Sequence, residues 1–244
     1  MKKVAFFVEG ETEADFIVKL ISDLIPSKKT ALRVTKRQGG SPGHRRYDML
    51  MLSDVVTSQT EYLVSIYNSS ADNRVNSDVM DLVPRLYQDL GYSAIVALKD
   101  LRGDINGVPL RETDLPRMQA AEQLVFSSLP LPINSVIAVM EVETWFIGET
   151  NHYPNIDSHL TETLIRANAG AIGVNPYADR LEDVLEPAET LDDIYKLVRK
   201  SYGKTADKRR RTINALDMAN LYVHESQRIS SLGQLISIID QIFT

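Results

Sequence analysis

The sequence predicts an α/β fold: a mostly parallel sheet with helices on both faces, followed by a helical C-terminal part. Three observations predict it. Short strand patterns recur at Val4–Val8, Glu61–Tyr67, Ala94–Leu98 and Ile133–Met140, the first and third of them apolar throughout, as expected of strands covered on both faces. Segments of helical period fall between them. After about residue 145 no further strand pattern is found, and helical spacing continues alone.

Taken in order, Val4–Val8 is uninterrupted by polar residues and reads as a buried strand. Thr12 with Asp15 resembles a capping box. Phe16, Ile17, Leu20, Ile21, Leu24 and Ile25 form the apolar face of the helix that follows, and Pro26 ends it. Ala31–Thr35 reads as a strand and Gln38–His44, with three glycines and Pro42, as a loop. Tyr47–Val56 reads as a helix. The strand Glu61–Tyr67 leads through the polar stretch Asn68–Asn73 to a helix carrying Val79, Leu82, Val83, Leu86, Tyr87 and Leu90, which Gly91 stops. Ala94–Leu98 is a strand, Asp100–Pro109 a turn-rich loop, Asp114–Ser128 a helix and Ile133–Met140 the last strand. Further helices are expected at Thr190–Lys200, Thr212–Val223 and Leu232–Phe243. The expected division is an α/β domain over 1–145 and a helical extension or subdomain over 146–244.

Composition narrows the chemistry. The chain has 244 residues and no cysteine, which excludes a disulfide scaffold, thiolate metal sites and a cysteine nucleophile. No apolar run approaches the roughly 20 residues of a membrane helix, and the N-terminal run meets Glu9 too soon for a signal peptide. A cytoplasmic protein with no membrane association is expected. The net charge is −6, unevenly spread. Lys28–Tyr47 carries seven basic residues and no acid, and Lys196–Arg211 carries eight with one acid. Each stretch is +7, so the remainder is −20. Two basic islands in an acidic chain suit a polyanion held beside a carboxylate cluster.

The acids fall where α/β sheets bind ligands, at the carboxyl ends of strands. Glu9 follows the first strand, Asp100 and then Asp104 follow the fourth, and Glu141 and Glu143 follow the fifth. If the last strand stays extended, Glu141 and Glu143 share a face. Carboxylates at neighbouring strand ends repel one another unless a cation lies between them, and oxygen ligands suit Mg²⁺. The competing reading is that strand ends face solvent and acids are common there. Gly10, next to Glu9, permits a tight turn or close approach of a ligand.

These motifs resemble the Toprim-like group, and most closely a bacterial family of unknown function (DUF4276), distantly related to the nuclease domains of overcoming-lysogenization-defect proteins. The residues that carry the resemblance are Val8–Glu13 (Val-Glu-Gly-Glu-Thr-Glu), the acidic turn Asp100–Asp104, Glu143-Thr144-Trp145-Phe146 and Tyr202-Gly203-Lys204-Thr205. The resemblance implies a metal-dependent phosphoryl-transfer fold using Mg²⁺ or Mn²⁺. It implies Glu9 as metal ligand or general acid/base, with Asp100, Asp104 and Glu143 as further ligands. The chain departs from the pattern at Arg102, where a second aspartate is expected; Asp104 replaces it, and Arg102 becomes a phosphate clamp. Arg45, Arg46, Lys204, Arg209 and Arg210 are candidate contacts to a nucleic-acid backbone. The implied function is a nuclease or related enzyme, by analogy in phage defence. The alternative is a non-catalytic module that binds nucleic acid or a partner protein through a degenerate Toprim site, which Arg102 favours.

Other motifs fail on physical grounds. Gly39-Gly40-Ser41-Pro42-Gly43 has the spacing of a nucleophile elbow, but Pro42 has no N–H for an oxyanion. Gly203-Lys204-Thr205 ends like a P-loop, but Val198 stands at the upstream glycine position and no strand precedes it. The histidines His44, His152, His159 and His224 have no zinc-peptidase spacing and are expected at the surface or in polar contacts. Trp145, the single tryptophan, is expected in the core.

Overall fold

The computed structural model describes residues 1–39, 46–52, 56–71, 74–101, 104–105 and 108–243. The chain is α/β, and its main sheet has six strands: β1 (Lys2–Val8), β2 (Thr30–Arg37), β3 (Tyr47–Leu52), β4 (Tyr62–Asn68), β5 (Ala94–Asp100) and, after the short antiparallel pair β6 (Asp104–Ile105) and β7 (Val108–Pro109), β8 (Ile133–Ala138). Their order is β3-β2-β4-β1-β5-β8. β1 is central and runs parallel to β4 and β5, with Val8 opposite Asn68 and Leu98. All five residues Val4–Val8 are fully buried, which is why the run is apolar without alternation.

Helices α1 (Glu11–Leu24), α2 (Val75–Gln88) and α3 (Leu115–Phe126) cover the sheet. The crossover β1–α1–β2 passes over β4, and β4–α2–β5 passes over β1 in the opposite direction. Right-handed crossovers in opposite directions put their helices on opposite faces. The burial pattern agrees: Val75, Val79, Val83 and Leu86 of α2 and Phe126 of α3 share one core with Ala5, Phe7, Ile95 and Ala97. The spacing within α2 is that of a single helical face.

Several sequence expectations change. The expected helix Thr212–Val223 is broken after Ala215 by extended Leu216 and Asp217. The expected loop Asp100–Pro109 holds the pair β6–β7. Two further changes lie earlier in the chain. The start of α1 is fixed by Glu13, not by Thr12 with Asp15: the Glu13 carboxylate accepts the Gly10 N–H at 2.8 Å, so one of the helix's orphan donors is satisfied. Of the expected helix Tyr47–Val56, Tyr47–Leu52 is instead strand β3, antiparallel to β2, and residues 53–55 lie outside the described residues. Tyr47 is pinned there by long-range contacts. Its hydroxyl donates to the Asp78 carboxylate of α2, which also accepts from Arg37 Nη1 at 3.1 Å, and its ring meets Tyr67 edge-on at 5.5 Å. Asp78 is wholly buried, so the network ties β2, β3 and α2 together at a point that local periodicity cannot show.

The chain divides into two compact units, 1–99 with 113–137, and 100–112 with 138–244. Besides the pair β6–β7, the second unit is helical, with α4 (Glu143–Gly148), α5 (Tyr153–Ile156), α6 (Glu162–Ile172), α7 (Pro187–Lys196), α8 (Ala206–Ala215), α9 (Met218–Asn220), a π turn at Leu221–Glu225, α10 (Ser226–Arg228) and α11 (Ser230–Phe243). After β8 no strand is found among the described residues, as expected. Trp145 is fully buried in α4, and its indole N–H reaches Ser231 Oγ of α11 at 3.0 Å. α11 enters tightly: a Cβ on Gly233 would collide with the Ser226 carbonyl. No helix among the described residues is long and apolar enough to cross a membrane.

Burial raises the phenol pKa values of Tyr67, Tyr153 and Tyr195 well above the ordinary 10. An unfolded chain loses these protons near pH 10 while the folded chain keeps them, so their contribution to stability is complete below pH 10 and is lost as pH rises above it. Ultraviolet titration with circular dichroism is therefore expected to show these phenols ionising only as the fold is lost. Ionisation of all ten tyrosines near pH 10 with helicity intact would contradict this burial.

Candidate functional site

In the first unit, Glu9 follows β1 and is only 6% exposed. Its charge acts on Lys99, a buried lysine near the end of β5. Burial lowers the Lys99 pKa to about 8, and the Glu9 carboxylate opposes that shift. Lys99 is ion-paired with Glu122 of α3, which also accepts from Ser135 Oγ and from Asn76 Nδ2. Among the described residues of this unit, Lys99 is one cation whose charge Glu9 acts on.

In the second unit the chain turns sharply after β8. Glu141 N–H bonds back to Val139 O at 3.0 Å, and Met140 takes a left-handed conformation at φ 64°. This conformation is strained for a residue with a long side chain, and such strain gathers at functional sites. The expectation that Glu141 and Glu143 share the face of an extended strand is therefore corrected: Glu141 lies in the turn, and Glu143 is the first residue of α4. Both are nevertheless wholly buried, so the two carboxylates are not solvated strand-end acids.

Their surroundings explain how they are kept there. Glu141 Oε2 accepts the Ala188 N–H at the start of α7 (3.0 Å), and Glu141 Oε1 accepts from Lys204 Nζ (3.1 Å). Glu143 Oε1 accepts from Tyr202 OH at 2.7 Å and lies 3.9 Å from Lys204 Nζ. The lysine is 52% exposed along its side chain, whereas the carboxylates are 1% and 0% exposed. Beside it lies a cavity of about 360 Å³ lined by Ala188, Glu189, Asp192, Tyr202, Gly203 and Lys204, among others. Asp192 accepts the Tyr202 N–H at 2.7 Å and holds this segment at its other end.

The remaining candidates divide. Asp100 ends β5 and Asp104 begins β6. Arg45 and Arg102 lie outside the described residues. Arg46 and Arg210 are exposed. Arg209 is buried, and its guanidinium donates to Lys204 O at 3.0 Å, so it braces the loop instead of facing outward. Among the described residues, no three histidines or acids gather as a metal cluster. The Tyr202–Thr205 motif and the Glu143 motif do meet, although they lie 59 residues apart.

Sequence reasoning passed over a second buried network. Glu149, wholly buried, accepts from Asn151 N, Asn220 Nδ2 and Asp217 N at 2.9–3.1 Å. His152, also wholly buried, is hydrogen-bonded to Tyr195 OH at 2.9 Å, and Tyr195 donates to Thr212 Oγ1. His152 is thus a core polar contact, while His159 and His224 are exposed and His44 is outside the described residues. Glu141, Glu149 and Glu182 share a role: each supplies a carboxylate to a backbone N–H at a helix or turn start, at Ala188, Asp217 and Ser230 respectively. No family model, curated protein or solved structure matches the chain.

Proposed function

We propose that the chain is a Mg²⁺- or Mn²⁺-dependent phosphoryl-transfer enzyme of nuclease type. The observation that carries the proposal is the wholly buried pair Glu141 and Glu143, presented on a strained strand-to-helix turn, with Lys204 between them and an adjoining cavity. The donor set suits a hard divalent ion: it is carboxylate oxygen, and Mg²⁺ is often held by one or two protein carboxylates with water and substrate phosphate completing its shell. Glu141 and Glu143 would hold the ion, with Asp100 the further acid taken from the sequence motif. A bound ion there would polarise a phosphodiester and promote ionisation of water. Tyr202 fixes the Glu143 carboxylate, Arg209 braces the Lys204 loop, and the exposed Arg210 is a phosphate contact. The role of Glu9 in this reading rests on the Toprim-like motif; the charge of Glu9 also acts on Lys99 in its own unit.

A second reading, a non-catalytic module for nucleic acid or a partner protein, is favoured by one observation. Glu141 is engaged in capping α7 and in pairing with Lys204, a structural role that needs no ion.

Calorimetric titration with Mg²⁺ and Mn²⁺ separates the two. The wild type is expected to show saturable binding, and Asp100→Ala to lose at least about 10-fold in affinity through loss of a charged oxygen ligand. Absence of saturable binding in the wild type, with nucleic-acid binding that survives chelation, would select the second reading.

A further inference from the structure

We propose that Lys204 is an exchangeable counter-ion: its ammonium holds the cation position at Glu141 and Glu143, and a divalent ion takes that position as the lysine swings out. This inference rests on the metal-dependent reading above and assigns a residue to its regulation.

The anchoring is unequal on the two sides. The carboxylates are fixed by groups other than the lysine, the Ala188 N–H on Glu141 and the Tyr202 hydroxyl on Glu143. The ammonium is 3.1 Å from one carboxylate and 3.9 Å from the other, so a single positive charge serves both. Unlike the carboxylates, the lysine side chain is half exposed and rises from a segment between α7 and α8 with no regular secondary structure. The adjoining cavity of about 360 Å³ gives it room to move. A long, flexible aliphatic stem can hold its charge in more than one place at little cost. Displaced into the cavity mouth, the same ammonium is available to a substrate phosphate, so one residue serves the resting site and the loaded one.

The test is Mn²⁺ calorimetry on the full chain, comparing wild type with Lys204→Met, Lys204→Gln and Lys204→Arg. If the ion must displace the ammonium, removing the charge tightens binding. At least about 10-fold tighter Mn²⁺ binding is expected in the Met and Gln variants, and wild-type affinity in the Arg variant, which keeps the competing cation. A second readout needs no enzyme activity: millimolar Mn²⁺ should raise the melting temperature of Lys204→Met and Lys204→Gln more than that of the wild type. Equal affinity in all four proteins overturns the counter-ion role and leaves the metal-dependent reading standing. Loss of affinity in the uncharged variants also overturns it, because Lys204 would then support the ion. Absence of saturable binding in every protein, the two uncharged variants included, overturns the metal-dependent reading and this inference with it.

Discussion

Trp145→Ala is expected to lower unfolding free energy by about 3–5 kcal/mol, the range for removing a large aromatic side chain from a packed core. Trp145 is the chain's only tryptophan and has no exposed surface. It lies two residues after Glu143 in the short helix α4, and its indole N–H is bonded to Ser231 Oγ of α11. Truncation removes the packing and leaves the buried Ser231 hydroxyl without this partner, a further cost of about 1–3 kcal/mol if no water replaces it. Urea denaturation followed by circular dichroism measures the loss. Trp145→Phe, which keeps most of the volume, should cost less, and adding Ser231→Ala to it should recover part of the difference. A loss under about 1 kcal/mol for Trp145→Ala would show that α4 and α11 do not depend on this contact. Loosening α4 reaches the site as well, because α4 is the element that carries Glu143.

What the sequence revealed depended on how local the controlling interactions are. β1, β4 and β5 are readable because a strand covered on both faces is largely apolar, here apart from the buried Ser65 and Lys99, and that signature needs no knowledge of its neighbours. β3 is not readable: Tyr47-Asp48-Met49-Leu50-Met51-Leu52 has residues that accept a helix, and it becomes a strand because β2 offers a ladder and Asp78 holds Tyr47. The turn at Met140 has the same character. A left-handed residue is foreseen from glycine or asparagine, and methionine gives no such signal. The site candidates follow this division. The acids at strand ends were legible from topology, and Lys204 and Tyr202 from a short motif. Their meeting with Glu141 and Glu143 was not, because it depends on how helices of the second unit pack. Glu149 and His152 have partners up to 71 residues away, and no spacing rule identifies such a network. Their burial also shows why acidic residues alone are weak markers of catalysis here, since several of them hold helix starts.

On the metal-dependent reading proposed above, Glu143→Gln is expected to lower phosphodiester cleavage by at least about 100-fold while leaving the fold intact, since charge stabilisation by a bound metal supplies several kcal/mol in such reactions. The substitution is nearly isosteric. The amide oxygen can still accept from Tyr202 OH, so the 2.7 Å bond of the native site has a replacement. Lys204 retains Glu141, its nearer partner at 3.1 Å, and the start of α7 keeps its cap at Ala188. The change removes the negative charge that an ion would need and turns one buried acceptor oxygen into an amide donor. DNA and RNA substrates with Mg²⁺ or Mn²⁺ provide the assay, and circular dichroism verifies folding. Cleavage unchanged in a folded Glu143→Gln protein would remove Glu143 from the metal site and, with it, the observation on which the enzyme reading stands. A wild type that turns over neither substrate with either metal, yet binds nucleic acid in the presence of a chelator, would instead make Glu141, Glu143 and Lys204 the polar brace of a binding module. In that case Glu143→Gln should leave nucleic-acid affinity unchanged, whereas removing the exposed charge of Arg210 should weaken it and reduce its salt dependence.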